Sequence, residues 1–263
     1  MLVAGWIVGA YLLAVQAPRL RGFGFDAFAY WNVSMPEPYA IPVGLPGSFN
    51  YAPPVALVFD WFSVLDWATF LWLWTALLVG TVIWMGWSPL GIGIAFAIPF
   101  VALELYHGNI HILLAAAIVL GFRHPWTWSF VLLTKPTAGV GLLWFVARRE
   151  WRELGIALGA TAVLCLASLL VAPGLWADWF DHLVANLEVP AWRTSIPVPL
   201  WVRLPLAAAL VIWGARSDRR WTVVVASMVA VPVLWFATLA MVIGVIPEWR
   251  RRSATSAGYP AGR

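Results

Sequence analysis

The chain has 263 residues, 62% of them hydrophobic and 11% charged, and its mean hydropathy is +0.84. A soluble domain carries about 25% charged residues, so the composition excludes a soluble enzyme and leaves no domain to bind a free nucleotide. The formal net charge of +4 comes from arginines gathered at segment ends, where they act as topology determinants, and it implies no nucleic-acid partner.

The apolar runs are continuous rather than alternating, which predicts helices and not a barrel. The fold expected is all-α, a polytopic transmembrane helical bundle of about nine to ten spans. In chain order the spans fall near 2–17, 53–65, 67–86, 89–105, 109–122, 125–147, 154–172, 198–214, 221–231 and 233–247. The last two are read as a tight pair turning at Pro232. Residues 1–252 form one transmembrane domain, with external loops at 18–54 and 173–199 and a C-terminal tail, 253–263, expected to be disordered. Met1 to Gln16 lacks a basic n-region and a small-x-small cleavage site, so it reads as a retained span. Trp67, Trp87, Trp126, Trp151, Trp221 and Trp249 fall near span ends, where an indole is favoured. Ten spans with the N-terminus inside put Arg148, Arg149, Arg152, Arg216, Arg219, Arg220 and Arg250 to Arg252 on the cytoplasmic side, and Arg19, Arg21, Arg123 and Arg193 opposite. Cys165 stands alone, so no internal disulfide exists.

The first external loop carries Asp26 in Gly24-Phe-Asp-Ala-Phe-Ala-Tyr30. A carboxylate near the headgroups and partly shielded gains basicity and suits a general base; a solvated loop aspartate is the alternative. Tyr51 precedes Pro53-Pro54, good chemistry for a helix start, and is a candidate to line a site beside Asp26. Glu104-Leu-Tyr-His-Gly-Asn-Ile-His111 follows at a span junction. His107 and His111 are four apart, a spacing that invites a metal on one helix face, with Glu104 the only nearby third ligand. Gly108 argues against a continuous helix there, and a polar substrate-lining turn or interfacial capping are the other readings.

Lys135 is the only lysine. It sits in an apolar stretch, roughly ten residues or about 15 Å from either span end. A charge at that depth costs on the order of 3 kcal/mol and normally faces a cavity or a partner. Pro136 breaks the helix beside it, making a reasonable phosphate or headgroup site; pairing with Asp60 or Glu104 would instead hold the core. Asp178, Asp181 and His182 share a face of a short amphipathic helix in the second external loop, where a solvated face is the default.

Several pieces in this order resemble the integral-membrane glycosyltransferases of family 87, which have the GT-C fold and use polyprenyl-phosphate sugars. They are Asp26 with Tyr30, Tyr51-Ala-Pro-Pro54, Gly108-Asn-Ile-His111, Leu133-Thr-Lys-Pro-Thr137, Leu143-Trp-Phe-Val-Ala-Arg-Arg-Glu-Trp-Arg152 and Val231-Pro-Val-Leu-Trp235. The stretch from Gly108 to Arg152 carries most of the likeness. Other members tend to have Gln and Asn where this chain has Asn109 and His111.

The resemblance implies an inverting transfer, usually of mannose, from a polyprenyl-phosphate donor to a glycolipid or glycan at the outer face. Asp26 is then the base, with Tyr30, Tyr51, His107, Asn109, His111 and Lys135 on the substrates. Lys135, Arg21, Arg123 and Arg193 are the cations available to the leaving phosphate. No cofactor and no metal ligand are expected, and the residues leave the need for a divalent ion open. The partners are the lipid-linked donor, the acceptor and membrane lipids. The location is multi-pass, in a bacterial plasma membrane, with both termini cytoplasmic. A transporter or flippase for a lipid-linked substrate is the chief rival, since intramembrane Lys135, Asp60 and Glu104 would serve it too. A scaffold for other envelope proteins is the third reading.

Overall fold

Prolines and glycines cut the apolar sequence into helices shorter than its hydrophobic runs. The computed structural model describes residues 2–11, 15, 22–35, 37–42, 45–187 and 195–248. Among these it is all-helical, with one isolated antiparallel bridge between Ser195 and Trp235. The expectations for Arg19, Arg21, Arg193, Trp249, Arg250 to Arg252 and the tail lie outside the described residues.

Helix α1 (Leu2–Tyr11) packs through Gly5 and Gly9, a small-xxx-small pair that lets backbones approach closely. A Cβ on Gly5 would lie 2.0 Å from the Ala97 carbonyl oxygen. Helix α2 (Phe25–Trp31) follows, and α3 (Pro53–Asp60) runs on into a 3-10 turn, Trp61–Val64. Helix α4 (Trp67–Gly86) starts where the Asp66 side chain accepts from Thr69 N at 3.0 Å. Its 20 residues span about 30 Å, the thickness of a bilayer core. Helices α5 (Pro89–Phe96) and α6 (Pro99–His107) meet at a 74° bend. Pro99 brings no N–H, and Ile98 before it is extended.

Helix α7 (His111–Gly121) is the centre of the bundle: His111, Ile112, every residue from Leu114 to Val119, and Gly121 are buried. Then come a 3-10 turn (Pro125–Thr127), α8 (Trp128–Thr134), a second 3-10 stretch (Pro136–Leu142) and α9 (Leu143–Arg148). Trp128, fully buried, fits between glycines: a Cβ would come within 2.4 Å of its ring at both Gly121 and Gly141. Helix α10 (Trp151–Val171) leaves Val163, Leu166 and Leu170 exposed, and α4 does the same with Trp72, Leu73 and Leu77. Apolar surface on that scale belongs against lipid. Helix α11 (Gly174–Leu187) follows, then α12 (Leu200–Arg216), α13 (Trp221–Val229) and a 3-10 segment, Ala237–Gly244.

The structure corrects the span count. Among the described residues only α4 and α10 are long and apolar enough to cross a membrane alone, with α5 and α6 a third span if taken together. The segment 53–65 does not cross. Both its ends touch α2, through the Tyr51 and Tyr30 rings (centroids 5.7 Å apart) and through Trp31 Nε1 donating to the Leu65 carbonyl at 2.8 Å. The segment 125–147 is a hairpin, because Pro136 stops the helix at its midpoint. The hairpin returns Trp144 to Phe122, ring centroids 5.4 Å apart. Arg123 is therefore at the same end as Arg148 and Arg220, not opposite them. The Arg220 guanidinium lies 5.0 Å from the Phe122 ring, and Arg148 bonds to Asp218 Oδ1 at 3.0 Å.

Arg203, in the first turn of α12 and 5% exposed, closes the other end of the last hairpin. It donates to the carbonyls of Val198 (2.7 Å), Val231 (2.8 Å), Pro232 (2.9 Å) and Val229. These include carbonyls that α13 leaves without helical partners, and a guanidinium fork suits them. Arg203→Ala is expected to lower stability by about 2–3 kcal/mol, read as a reduced melting temperature in detergent, with Arg203→Lys recovering only part of it.

Candidate functional site

The site forms around a turn that two glycines allow. Helix α6 ends at Gly108, left-handed at φ 70°, whose N–H still donates to the Glu104 carbonyl at 2.8 Å. The Gly108 carbonyl accepts from Trp74 Nε1 at 2.7 Å, tying the turn to α4. Gly24, also left-handed at φ 77°, donates its N–H to the Tyr106 carbonyl at 2.8 Å and so seats the start of α2 on α6. Two residues later Asp26 meets Asn109. Trp74 is the eighth residue of α4, which sets this meeting about 10 Å below that helix's first turn.

Asn109 is the hub. Its Nδ2 donates to Asp26 Oδ2 at 2.8 Å, while its Oδ1 accepts from Ile110 N at 2.7 Å and from the Tyr30 hydroxyl at 3.2 Å. The two acceptor bonds orient the amide so that its donor faces the carboxylate. Tyr30 and Tyr51 share a hydrogen bond, oxygen to oxygen, of 3.1 Å. Lys135 Nζ stands 5.3 Å from the centre of the Tyr51 ring, a cation–π distance. Among the described residues Asp26 Oδ1 accepts no hydrogen bond.

Asp26 is half-buried, and burial raises its carboxyl above the ordinary value of 3.8. The charge of His107 and the Asn109 bond pull the other way, while Glu104 adds to the rise. Lys135 feels both carboxylates but makes no ion pair with Asp60 or Glu104. It is the C-cap of α8 and the tip of the 125–147 hairpin. The Leu133 carbonyl, next to the break at Pro136, accepts from Ala52 N at 3.0 Å. Lys135 and Tyr51 are thus brought together by the same interruption.

His107 and His111 do not share a helix face, because the left-handed Gly108 lies between them. Among the described residues no three His, Cys, Asp or Glu side chains gather as a metal site. The His107 ring packs edge-on against Tyr106 at 5.7 Å. His111, 1% exposed, lies behind the site rather than on its open side. Its N–H and its Nδ1 reach the two oxygens of Glu104 at 2.7 and 3.1 Å, and its Nε2 is 3.3 Å from Thr238 Oγ1.

Helix α11 roofs the segment that enters α3. His182 Nε2 is 2.8 Å from Asn50 Oδ1, Trp179 Nε1 donates to the Asn50 carbonyl at 3.3 Å, and Tyr39 donates its hydroxyl to the Tyr51 carbonyl at 2.8 Å. His182 is therefore buried, unlike Asp178 and Asp181, which stay exposed as a solvated face. Burial lowers the His182 imidazole below its usual value. A cleft of about 380 Å³ opens beside this roof, lined by Met35, Leu57, Ala172, Leu175 and Asp178.

Sequence reasoning brought Asp26, Tyr30, Tyr51, Asn109 and Lys135 forward, and the structure joins these five in one network. It gave Glu104 too small a part, although a carboxylate at membrane depth is itself a signal, and passed over Asn50 and Trp74. Gly108→Ala is expected to open the network. Its Cβ would lie 2.8 Å from that of Ala27, in a backbone conformation that side chains resist. The check is loss of activity in a variant that still purifies as a folded protein.

No curated protein and no solved structure matches the chain. The family model for glycosyltransferase family 87 matches residues 49–258. That stretch contains Tyr51, Glu104, His107, Asn109, His111 and Lys135; Asp26 and Tyr30 precede it. With most of its length matched, and with long apolar helices exposed on its flanks, this membrane protein belongs to glycosyltransferase family 87.

Proposed function

We propose that the protein is a GT-C-type transferase that moves a hexose, mannose in the first instance, from a polyprenyl-phosphate donor to a glycolipid or glycan acceptor. The observation that carries the reading is Asp26, half-buried, with Oδ2 held by Asn109 at 2.8 Å and Oδ1 uncommitted. A carboxylate so placed takes the proton of an acceptor hydroxyl as its oxygen attacks the anomeric carbon. The bond from that carbon to the phosphate oxygen breaks, and its electron pair leaves on the polyprenyl phosphate. Attack opposite the leaving group inverts the anomeric centre.

The leaving phosphate carries negative charge, and Lys135 stands beside the network, 5.3 Å from the Tyr51 ring centre. Tyr30 and Tyr51 offer hydroxyls and ring faces to a sugar, and His107 stands at the edge of the turn. Membrane placement follows from charge. Arg123, Arg148, Arg149, Arg152, Arg216, Arg219 and Arg220 gather at one end, the pattern of a cytoplasmic face. The Asp26 end then faces outward in a bacterial plasma membrane, where a lipid-linked donor supplies the sugar.

Purified protein in liposomes, given synthetic decaprenyl-phosphate mannose and a mixed lipid and glycan extract, should transfer the sugar. Asp26→Asn should cut transfer by about 100-fold or more while the protein stays folded. Donor retained without transfer by the wild type would point to a carrier for lipid-linked substrates instead.

The pH dependence has a definite sign. The base is the ionised form, and burial raises the Asp26 carboxyl above 3.8. Activity is therefore full above the raised value and lost as pH falls through it. The acid limb of kcat/KM should lie above that of an exposed aspartate, and a limb at or below 3.8 would count against Asp26 as the base.

A further inference from the structure

Glu104 closes a ring around the residue on which the site turns. It sits on α6 and is fully buried; His111 is the first residue of α7 and 1% exposed. Between them lies Gly108-Asn109-Ile110. One carboxylate makes two bonds across the gap, Oε1 to the His111 N–H at 2.7 Å and Oε2 to its Nδ1 at 3.1 Å. The first satisfies an N–H that the start of a helix leaves without a partner. The second fixes the imidazole, whose far nitrogen reaches Thr238 at 3.3 Å. Burial excludes water from both bonds, so nothing replaces them if they are lost.

We infer that Glu104 and His111 are positioning residues for the transferase, holding the 108–110 turn in the conformation that presents Asn109 Nδ2 to Asp26. The inference rests on the reading of Asp26 as the base. It follows from connectivity: the Asn109 side chain has the bonds to Ile110, Tyr30 and Asp26 to orient it, and its backbone takes its place from the Trp74 bond to the Gly108 carbonyl on one side and from the two helix ends that Glu104 joins. Neither Glu104 nor His111 need touch a substrate. The geometry requires a side chain long enough to span both contacts, and not a negative charge.

Two substitutions separate length from charge. In Glu104→Gln the amide oxygen still accepts from the His111 N–H. Its NH2 donates to Nδ1 of the other tautomer, which frees Nε2–H to donate to Thr238. In Glu104→Asp the charge stays, but the side chain is one methylene short of bridging both groups. The assay is mannose transfer from synthetic decaprenyl-phosphate mannose by full-length protein in liposomes. Glu104→Gln should keep kcat within about threefold of wild type, and Glu104→Asp should lower it about 100-fold with donor KM unchanged, the scale expected of a displaced catalytic group.

Amide hydrogen exchange over residues 105–111 is measured in parallel and should be faster in Glu104→Asp only. An active Asp variant beside an inactive Gln variant would overturn the inference, because charge and not reach would then matter. Loss of activity in both folded variants, wild-type kcat in both, or unchanged exchange in the Asp variant would overturn it as well. Asp26→Asn runs as the control: normal transfer there would bring down the base itself, independently of Glu104.

Discussion

Inside a bilayer a helix that stops frees backbone groups that water cannot reach, and this chain stops its helices often. Several of these breaks are met by groups from elsewhere in the chain. Trp74 donates to the Gly108 carbonyl, Ala52 N to Leu133, and Arg203 to Val231 and Pro232, while the start of α7 gives its N–H to Glu104. A broken helix is tolerated only where a neighbour is already in place, so the breaks and the tertiary contacts specify one another. The polar site lies where three such breaks come together, at Gly108, at Lys135–Pro136 and at the entry to α3.

That arrangement also separates the charges. Asp26, Glu104, His107, His111 and Lys135 share one region, whereas seven arginines gather at the opposite end with Asp218 and Glu150. A buried carboxylate is costly unless it is hydrogen-bonded, and the two here are provided for differently. Glu104 uses both oxygens on His111 and is closed off. Asp26 uses one on Asn109 and keeps the other. Two acids of one region are thus held differently, the first with both oxygens bonded and the second with one.

Rigidity around Asp26 comes from aromatic packing. Tyr30 stacks on Phe59 at 5.2 Å and lies 5.3 Å from Trp74, and Trp74 in turn stacks on Phe70 at 5.9 Å. Large rings bury much area when fixed, so a helix as short as α2 gains its hold from aromatic neighbours. The roof formed by α11 adds His182 and Trp179 on Asn50, next to the Tyr51 that shares a hydrogen bond with Tyr30.

Composition and order along the chain were enough to settle the membrane, the helices and the family. Continuous apolar runs admit no other secondary structure in lipid, and an ordered set of motifs survives as sequence. The same reading named Asp26, Tyr51, Asn109 and Lys135 because polar groups in an apolar chain stand out by their cost, took Tyr30 from the family resemblance, and also named His107 and His111, which pack on Tyr106 and Glu104 instead of on Asn109. It overcounted the spans, since hydropathy measures whether a segment tolerates lipid and not whether it crosses. Residues 53–56 with Phe59, and most of the hairpin at 125–147, are buried among helices, whereas Val58, Trp61, Phe62 and Val64 stay exposed. The placement of Arg123, the four-carbonyl grip of Arg203 and the closure of Glu104 on His111 were decided by tertiary structure alone. Each depends on which backbone groups a break leaves unpaired, and only the assembled neighbours determine that.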